Sequence, residues 1–335
     1  MMKKSCLFLM LIMLFLSETA IAAKKKPPYD YFRIGNAVDA SNIQTTRGTV
    51  MMGGGTDVDE AFKWMCALSG NGDFLVIRAT GTDAYNAYIQ QLCPNGNSVA
   101  TLIIPSINAA NDEFVIGAIN AAEAIWIAGG DQSNYINFWI NTLLHSALKD
   151  RIAEGIPIGG TSAGLDVLTQ FIYSALLNKS ITSTQALENP FNKYITLDNQ
   201  FDLKIPFLEG IIGDAHLITR DRMGRDLAFL CRIYDFGWLS LPRSITIDEQ
   251  TALLIDAEGQ ATVAGVSNVY FLATTEIPET CQENTPLTYR NINVYRLNAQ
   301  GTFDLANWVG QNGTAYTLSA ENGVLISTQP NQSPY

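Results

Sequence analysis

Histidine is scarce in this chain, because only His145 and His216 occur among its 335 residues. No cysteine or histidine spacing resembles a metal site, and two histidines exclude a histidine-rich metal centre. We therefore expect neither a metal ion nor another cofactor. Basic residues are also few, since 21 Lys and Arg stand against 32 Asp and Glu and leave a net charge of −11. This acidic balance disfavours nucleic acid and anionic membranes as partners.

Long apolar runs are absent except near the N-terminus, where residues 6–17 follow Lys3 and Lys4 and precede the small-residue stretch 20–23. The run is shorter than the ~20 residues that a bilayer-spanning helix needs. This arrangement is typical of a secretory signal peptide over residues 1–22, with an uncleaved anchor as the alternative. We expect a secreted or periplasmic mature protein that makes no membrane contact after cleavage.

Cysteines number five, and Cys6 would leave with the signal peptide. Disulfides can persist between the remaining four in an exported protein. Cys66 and Cys93 flank the strand-like segment 73–78 and are the expected pair. Cys231 lies in an apolar segment, so we predict that it is a buried free thiol.

Short apolar strands alternate with helical segments from Thr49 onward, and glycine turns join them. The alternation predicts an α/β fold in which helices cover both faces of a mostly parallel sheet. The pattern changes near Thr274 to alternating residues that predict a small β-rich extension. The predicted divisions are a signal peptide (1–22), a leader with the first strand region (23–48), a catalytic α/β domain (49–273) and the C-terminal extension (274–335).

A sharp glycine turn, Gly160-Thr-Ser-Ala-Gly164, joins an apolar strand to an apolar helical segment. A turn of this kind strains its central residue, and the flanking glycines keep Cβ atoms out of the way. The pattern predicts a nucleophile elbow that exposes the hydroxyl of Ser162 above the sheet.

A serine nucleophile needs a base, which is usually a histidine held by a carboxylate. His145 lies in the middle of a helical segment and is read as a partly exposed helix residue. His216 follows a short apolar strand and is predicted to lie at the same rim of the sheet as Ser162. Glu249 is a candidate for the acid, and spacing alone leaves its neighbour Asp248 and also Asp214 as alternatives.

Three arginines follow His216 in the densest basic run of the chain, Arg220, Arg222 and Arg225. Guanidinium groups bind carboxylates well, so the run predicts a substrate site for acidic groups. The alternative is a charged start of a helix, with the arginines paired to Asp221 and Asp226.

Glycines 129 and 130 predict a turn beside the elbow. The backbone N–H groups of Gly130 and Ala163 are candidates for an oxyanion hole, which acyl transfer requires. Gln132 is then predicted to point into the pocket.

The ordered motifs resemble those of the cyanophycinase family of serine exopeptidases, which are relatives of aspartyl dipeptidase. The resemblance covers about residues 49–272 and is carried by four motifs: Gly129-Gly-Asp-Gln132, Gly159-Gly-Thr-Ser-Ala-Gly164, the run from Asp214 through His216 to Arg225, and Asp248-Glu-Gln-Thr-Ala-Leu253. It implies a flavodoxin-like fold similar to class I glutamine amidotransferases, with serine replacing their cysteine.

Site roles follow from this resemblance position by position. Ser162 matches the family nucleophile, His216 its base and Glu249 its third triad member. The substrate-contacting positions of the family match Gln132, Asp214, Arg220, Arg222 and Arg225. In the family these groups bind a β-aspartyl-arginine unit. The chain has Ala215 where the family commonly has glutamine, which removes two donors and an acceptor from the predicted pocket wall.

The resemblance implies an exported serine peptidase that acts on aspartyl or β-aspartyl peptides. An α/β-hydrolase esterase is a rival interpretation, and its acid would lie between the serine and the histidine, as Asp202 or Glu209 does. A non-catalytic binding protein for an acidic ligand is a second rival. The expected partner is a peptide with aspartyl carboxylates, and a homodimer is one oligomeric state that the sequence leaves open.

Overall fold

The computed structural model describes residues 26–335. The predicted signal peptide lies outside the described residues. No helix within residues 26–335 combines the length and the apolar character that crossing a membrane requires.

Eighteen strands and nine α-helices make up the described part of the chain. The strands are β1 (Asp30–Gly35), β2 (Thr49–Met52), β3 (Asp73–Arg78), β4 (Ser98–Ile103), β5 (Ala124–Ile127), β6 (Ile158–Thr161), β7 (Ile172–Tyr173), β8 (Leu197–Asp198), β9 (Ile211–Asp214), β10 (Arg243–Ile247), β11 (Thr251–Ile255), β12 (Gln260–Gly265), β13 (Val269–Ala273), β14 (Tyr289–Leu297), β15 (Thr302–Asp304), β16 (Val309–Gln311), β17 (Thr314–Glu321) and β18 (Val324–Ser327). The helices are α1 (Asp59–Leu68), α2 (Tyr85–Leu92), α3 (Ile107–Ala110), α4 (Glu113–Ala121), α5 (Gln132–Trp139), α6 (Leu143–Glu154), α7 (Ala163–Asp166), α8 (Ser183–Glu188) and α9 (Met223–Asp235), and a 3-10 turn spans Pro330–Gln332.

The larger sheet has ten strands in the order β1-β4-β3-β5-β6-β2-β11-β12-β15-β16. Its middle strands β4, β3, β5, β6 and β2 run parallel to one another. Alternate residues of β3 face opposite sides, because Phe74 packs in the cluster that holds Phe62 of α1, whereas Leu75 packs with Val115 of α4. Helices therefore cover both faces of a mostly parallel sheet, which confirms the predicted fold class.

Helix α6 shows how local sequence sets the element boundaries. The Thr142 side chain accepts a hydrogen bond from the backbone N–H of His145 at the start of the helix. Gly155 ends the helix with a φ of 90°, a left-handed conformation that glycine adopts without a Cβ penalty. The prediction that His145 is partly exposed is wrong, because it is buried and its ring stacks on Phe201.

The second sheet has six strands in the order β18-β17-β14-β13-β10-β9. The predicted boundary at 274 falls between β13 and β14, yet these two strands pair with each other. Strands β15 and β16 join the larger sheet instead. The C-terminal residues therefore complete both sheets. Strand β9, which precedes His216, belongs to this second sheet, so the prediction that His216 shares a sheet rim with Ser162 needs correction.

Two disulfides join the four cysteines of the described region. Cys66 of α1 pairs with Cys93 at the end of α2, with their Cα atoms 6.1 Å apart, as predicted. Cys231 of α9 pairs with Cys281, with their Cα atoms 6.0 Å apart. The prediction that Cys231 is a free thiol is therefore wrong, because the loop between β13 and β14 brings Cys281 onto α9.

Candidate active site

Ser162 lies at the sharp corner between β6 and α7, as the glycine pattern predicts. Its backbone has φ 53° and ψ −120°, a strained conformation for a residue with a side chain. A Cβ at Gly164 would lie 2.0 Å from the carbonyl oxygen of Ile127, and one at Gly160 would lie 2.5 Å from that of Gly164. The turn thus needs glycine at both positions, and it holds the serine at the carboxyl end of a central strand.

His216 comes from the other sheet and nevertheless reaches the serine. The chain leaves β9 after Asp214, and His216 has a φ of 54°. Its backbone N–H donates to the carbonyl oxygen of Gly53, which follows β2, over 2.9 Å. The Nε2 atom of its ring lies 2.7 Å from the Oγ of Ser162. This is the distance at which a neutral imidazole accepts the hydroxyl proton.

Glu249 is the acid that contacts the histidine. It lies in the tight turn between β10 and β11, and its Oε1 is 2.5 Å from Nδ1 of His216. The two alternatives are engaged elsewhere, because Asp248 accepts hydrogen bonds from Thr219 and Asp214 pairs with Arg225. The chain order is therefore serine, histidine, acid, which differs from the order in α/β-hydrolase esterases.

The environment of His216 favours the neutral imidazole. Burial lowers the pKa of His216, the hydrogen bond that its ring donates to Glu249 raises it, and the charges of Arg220 and Arg222 lower it again. The net pKa is below the ordinary value of 6.5. A histidine with a lowered pKa is largely unprotonated, and ready to accept a proton, at neutral pH.

A glycine turn that the sequence marked only as a connection encloses the triad. A Cβ at Gly54 would lie 2.3 Å from Cε1 of His216, and one at Gly55 would lie 2.9 Å from Oε2 of Glu249. Both glycines have positive φ values, 94° and 72°. The signal in the sequence was three consecutive glycines directly after a buried strand, a pattern that permits close approach of backbone to a reactive side chain.

The three arginines occupy different environments. The side chain of Arg220 is 52% exposed and its Nε lies 3.8 Å from Oε1 of Glu249. Arg225 has no exposed surface, and its Nε donates to Asp214 over 2.7 Å. Arg222 is also buried and donates to the carbonyl oxygen of Ala215 over 2.7 Å. The prediction that all of these groups contact substrate is wrong for Arg225 and Asp214, because they are fully buried against each other.

A buried charged cluster thus lies behind the histidine. Burial and the charge of Asp214 raise the pKa of Asp166, whereas the nearby arginines lower it. The net pKa is about 8. Burial and Asp214 also raise the pKa of Asp226 well above its ordinary value. For Asp214, burial raises the pKa but Arg225 and Arg222 outweigh it and the pKa is lowered. The neutral form is therefore favoured at Asp166 and Asp226, whereas the guanidinium groups favour the ionised form of Asp214.

Gln132 is tied to this cluster. Its Nε2 donates to Oδ2 of Asp166 over 3.0 Å and to the carbonyl oxygen of Tyr173 over 3.2 Å. The amide is thus held in one orientation at the start of α5. Ala215 has no exposed surface and packs in the main apolar core. The prediction that residue 215 forms the pocket wall is therefore wrong for this chain.

The candidate oxyanion donors flank the elbow. A Cβ at Gly129 would lie 3.4 Å from Cβ of Ser162, so the turn before α5 directly adjoins the serine. Gly130 follows in that turn, and Ala163 is the first residue of α7. The first N–H groups of a helix have no acceptor within the helix, so the N–H of Ala163 is available to an oxyanion.

A cleft of about 280 Å³ opens above the serine. It is lined by glycines of both turns and by seven further residues, which are Asp57, Arg78, Tyr85, Thr161, Ser162, His216 and Arg220. The described residues contain no group of three or more His, Cys, Asp or Glu side chains that are arranged to hold a metal ion. The chemistry that these groups support is acyl transfer through a serine.

The sequence of this chain matches one family model, and its fold resembles that of a solved structure. Residues 79–191 match the sequence model of Peptidase family S51. Among curated protein sequences, none gives a significant match. The crystal structure of a peptidase from an acI-B1 Actinobacterium has a similar fold, with 17% identity, a TM-score of 0.52, and coverage of 78% of this chain and 98% of that chain.

A further solved structure is a putative peptidase E protein from Listeria monocytogenes EGD-e. It has 13% identity and a TM-score of 0.41, and it covers 67% of this chain and 100% of its own. The family match includes the elbow and confirms the resemblance to the cyanophycinase group, which is part of that family. Residues 79–191 are thus similar to peptidase family S51, and this match supports a peptidase.

Proposed function

We propose that this protein is an exported serine peptidase that hydrolyses aspartyl or β-aspartyl peptide bonds through an acyl-enzyme on Ser162. The catalytic part of the proposal rests on the contacts between three side chains. Ser162 Oγ, the imidazole of His216 and the carboxylate of Glu249 form a continuous chain with contacts of 2.7 and 2.5 Å. This is the arrangement in which a serine is activated by a base that a carboxylate orients.

The reaction follows from the positions of these groups. Nε2 of His216 accepts the proton of Ser162 as Oγ attacks the carbonyl carbon of the peptide bond. The N–H groups of Gly130 and Ala163 stabilise the resulting oxyanion, and Glu249 stabilises the imidazolium. His216 then protonates the leaving amine, and the C–N bond breaks. Water, deprotonated by His216, then attacks the acyl carbon, the bond from that carbon to Oγ breaks, and His216 returns the proton to Oγ.

Acidic substrates are supported by the charge of the cleft. The protein has a net charge of −11, yet two arginines, Arg220 and Arg78, line the cleft beside the serine. Arginine side chains bind carboxylates with good geometry. Cyanophycin, from which the family releases β-aspartyl-arginine, is one candidate polymer. Because Ala215 is buried here, the substrate side of the cleft depends on other residues than in the family pattern.

Export is supported by the N-terminal sequence and by the cysteines. The apolar run at 6–17 and the small residues at 20–23 are typical of a signal peptide. The four cysteines beyond it form two disulfides, which persist in oxidising compartments. We propose a secreted or periplasmic enzyme that meets its peptides outside the cytosol.

Mature protein incubated with cyanophycin and with α- and β-aspartyl dipeptides tests the proposal, with the products identified by mass. We expect the natural protein to cleave aspartyl peptides. Ser162→Ala should have the same thermal stability and cleave none of them. p-Nitrophenyl acetate serves as the ester control. Hydrolysis of the ester with no hydrolysis of any aspartyl peptide would instead support an esterase. The binding-protein alternative predicts no turnover of any substrate.

A further inference from the structure

Arg78 is a cleft residue that neither the motifs nor the triad accounts for. It is the last residue of β3, and its side chain lines the same cleft as Ser162 and Arg220. The cleft therefore has one guanidinium from the run after the histidine and a second from β3 of the larger sheet. Two arginines in one cleft are unexpected in a protein with a net charge of −11.

The guanidinium of Arg78 is held in place by its own loop. Its Nε donates to the carbonyl oxygen of Thr80 over 2.6 Å, and its Nη1 donates to that of Thr82 over 3.1 Å. Gly81 lies so close to the guanidinium that a Cβ at position 81 would be 2.4 Å from Nη2 of Arg78. The side chain has therefore lost much of its rotational freedom before any ligand binds, which lowers the entropic cost of binding one.

Arg78 also lacks a charged partner. No Asp or Glu oxygen within residues 26–335 forms an ion pair with it, whereas Arg220 already lies near Glu249. Two of its five N–H groups are used by the loop, and within the same residues no further hydrogen bond of the guanidinium is found. Asp57 lines the cleft as well but is not paired with Arg78. A fixed and unpaired guanidinium beside a reactive serine is suited to bind an anion.

We propose that Arg78 is a specificity-determining residue that binds a free carboxylate of the substrate in the cleft that Arg220 also lines. That the bound molecule is a substrate rests on the proposed function. The carboxylate has two possible sources, the aspartyl side chain and the C-terminus of a short peptide. Both present the same planar pair of oxygens to a guanidinium, so the experiment must separate them.

Binding to an inactive variant tests the inference without turnover. Ser162→Ala is titrated calorimetrically with aspartyl-leucine, asparaginyl-leucine, and the C-terminal amide of each. We expect removal of the recognised carboxylate to weaken binding by about 10- to 100-fold, which corresponds to a hydrogen-bonded charged group. Weaker binding of the asparaginyl peptide would show that the side-chain carboxylate is recognised. Weaker binding of the amide would show that the terminal carboxylate is recognised.

Two double variants then assign this preference to its residue. Ser162→Ala/Arg78→Gln should bind all four peptides with the affinity that Ser162→Ala has for the weakest of them. Ser162→Ala/Arg47→Gln is the matched control, because Arg47 donates to the carbonyl oxygen of Ala153 at the far end of β2. It should keep the full preference for the carboxylate.

Three results would overturn the inference: Arg78→Gln weakening all four peptides equally, Arg78→Gln leaving the preference intact, or Ser162→Ala showing no preference at all. Equal weakening would mean that Arg78 only holds its loop. Labelling of the enzyme with intact Ser162 by a fluorophosphonate reports on the proposed function separately. A labelled enzyme without carboxylate preference would refute the role of Arg78 and leave the serine mechanism standing.

Discussion

Gly54 packs against the ring of His216 so closely that a Cβ at position 54 would lie 2.3 Å from Cε1. The glycine turn after β2 thus forms one wall of the space in which the imidazole lies. The same turn accepts a hydrogen bond from the backbone N–H of His216 at Gly53. The histidine, which comes from the second sheet, is therefore positioned by the first sheet that also carries the serine.

Gly54→Ala should reduce kcat/KM by about 100-fold or more, because a displacement of a catalytic group by about 1 Å has an effect of this size. Gly237→Ala is the control, since Gly237 also has a positive φ and a Cβ there would meet nothing within 4 Å. Both variants should lose about 1–2 kcal/mol of unfolding free energy from the left-handed backbone. Kinetics and urea unfolding measure the two effects, and equal loss of activity in both variants would contradict the role of Gly54.

Arg220→Gln should move the acidic limb of the pH–rate profile to higher pH. Arg220 is one of the charges that lower the pKa of His216, so its removal raises that pKa. Protonated His216 cannot accept the proton of Ser162, and activity is lost as the pH falls through its pKa. The rate of fluorophosphonate labelling against pH measures this limb without a carboxylate in the probe. A limb at the same pH in the variant would show that Arg220 does not act on the base.

Asp166→Asn should flatten the pH dependence of stability. The pKa of Asp166 is about 8 in the folded protein and 3.8 in the unfolded chain, so the folded state binds more protons between these values. The contribution of Asp166 to the free energy of unfolding therefore decreases as the pH rises from about 4 to 8. An asparagine keeps an acceptor for Gln132 and has no such dependence. Urea unfolding at several pH values measures the slope, and an unchanged slope in the variant would contradict the raised pKa.

Local pattern was enough to predict the elbow and the base. The backbone conformation of the elbow requires glycines around Ser162, so the turn can be recognised from the sequence. Histidine is scarce, and His216 was the only histidine predicted to lie at a strand end. The choice of Glu249 over Asp248 needed the family resemblance, because neighbouring residues in a turn differ in direction and spacing does not show which one faces the histidine.

Long-range pairing is what the sequence could not show. Cys231 and Cys281 are 50 residues apart, and only the folded loop brings them together. Arg220 and Arg225 are close in the chain, yet one is exposed and the other is buried, because the chain turns into α9 between them. Arg78 was missed because its strand carries no motif and its position in the cleft depends on the order of strands in the sheet.

Replacement of both Cys231 and Cys281 by alanine should lower the free energy of unfolding by about 2–5 kcal/mol. A disulfide that closes a loop of this length restricts the unfolded chain by an amount of that order. Non-reducing peptide mapping of the natural protein checks the pairing directly. Thiols at these two positions that react with an alkylating agent in the unfolded, unreduced protein would contradict it.

The most direct test of the account is the site of reaction with a fluorophosphonate, located by peptide mass mapping. We predict a single adduct on Ser162 in the natural protein, none in Ser162→Ala, and labelling that is slower by about 1000-fold or more in His216→Ala, because the serine then has no base. A natural protein that stays unlabelled, or a Ser162→Ala variant that is labelled equally well, would contradict the claim that this hydroxyl is the activated nucleophile.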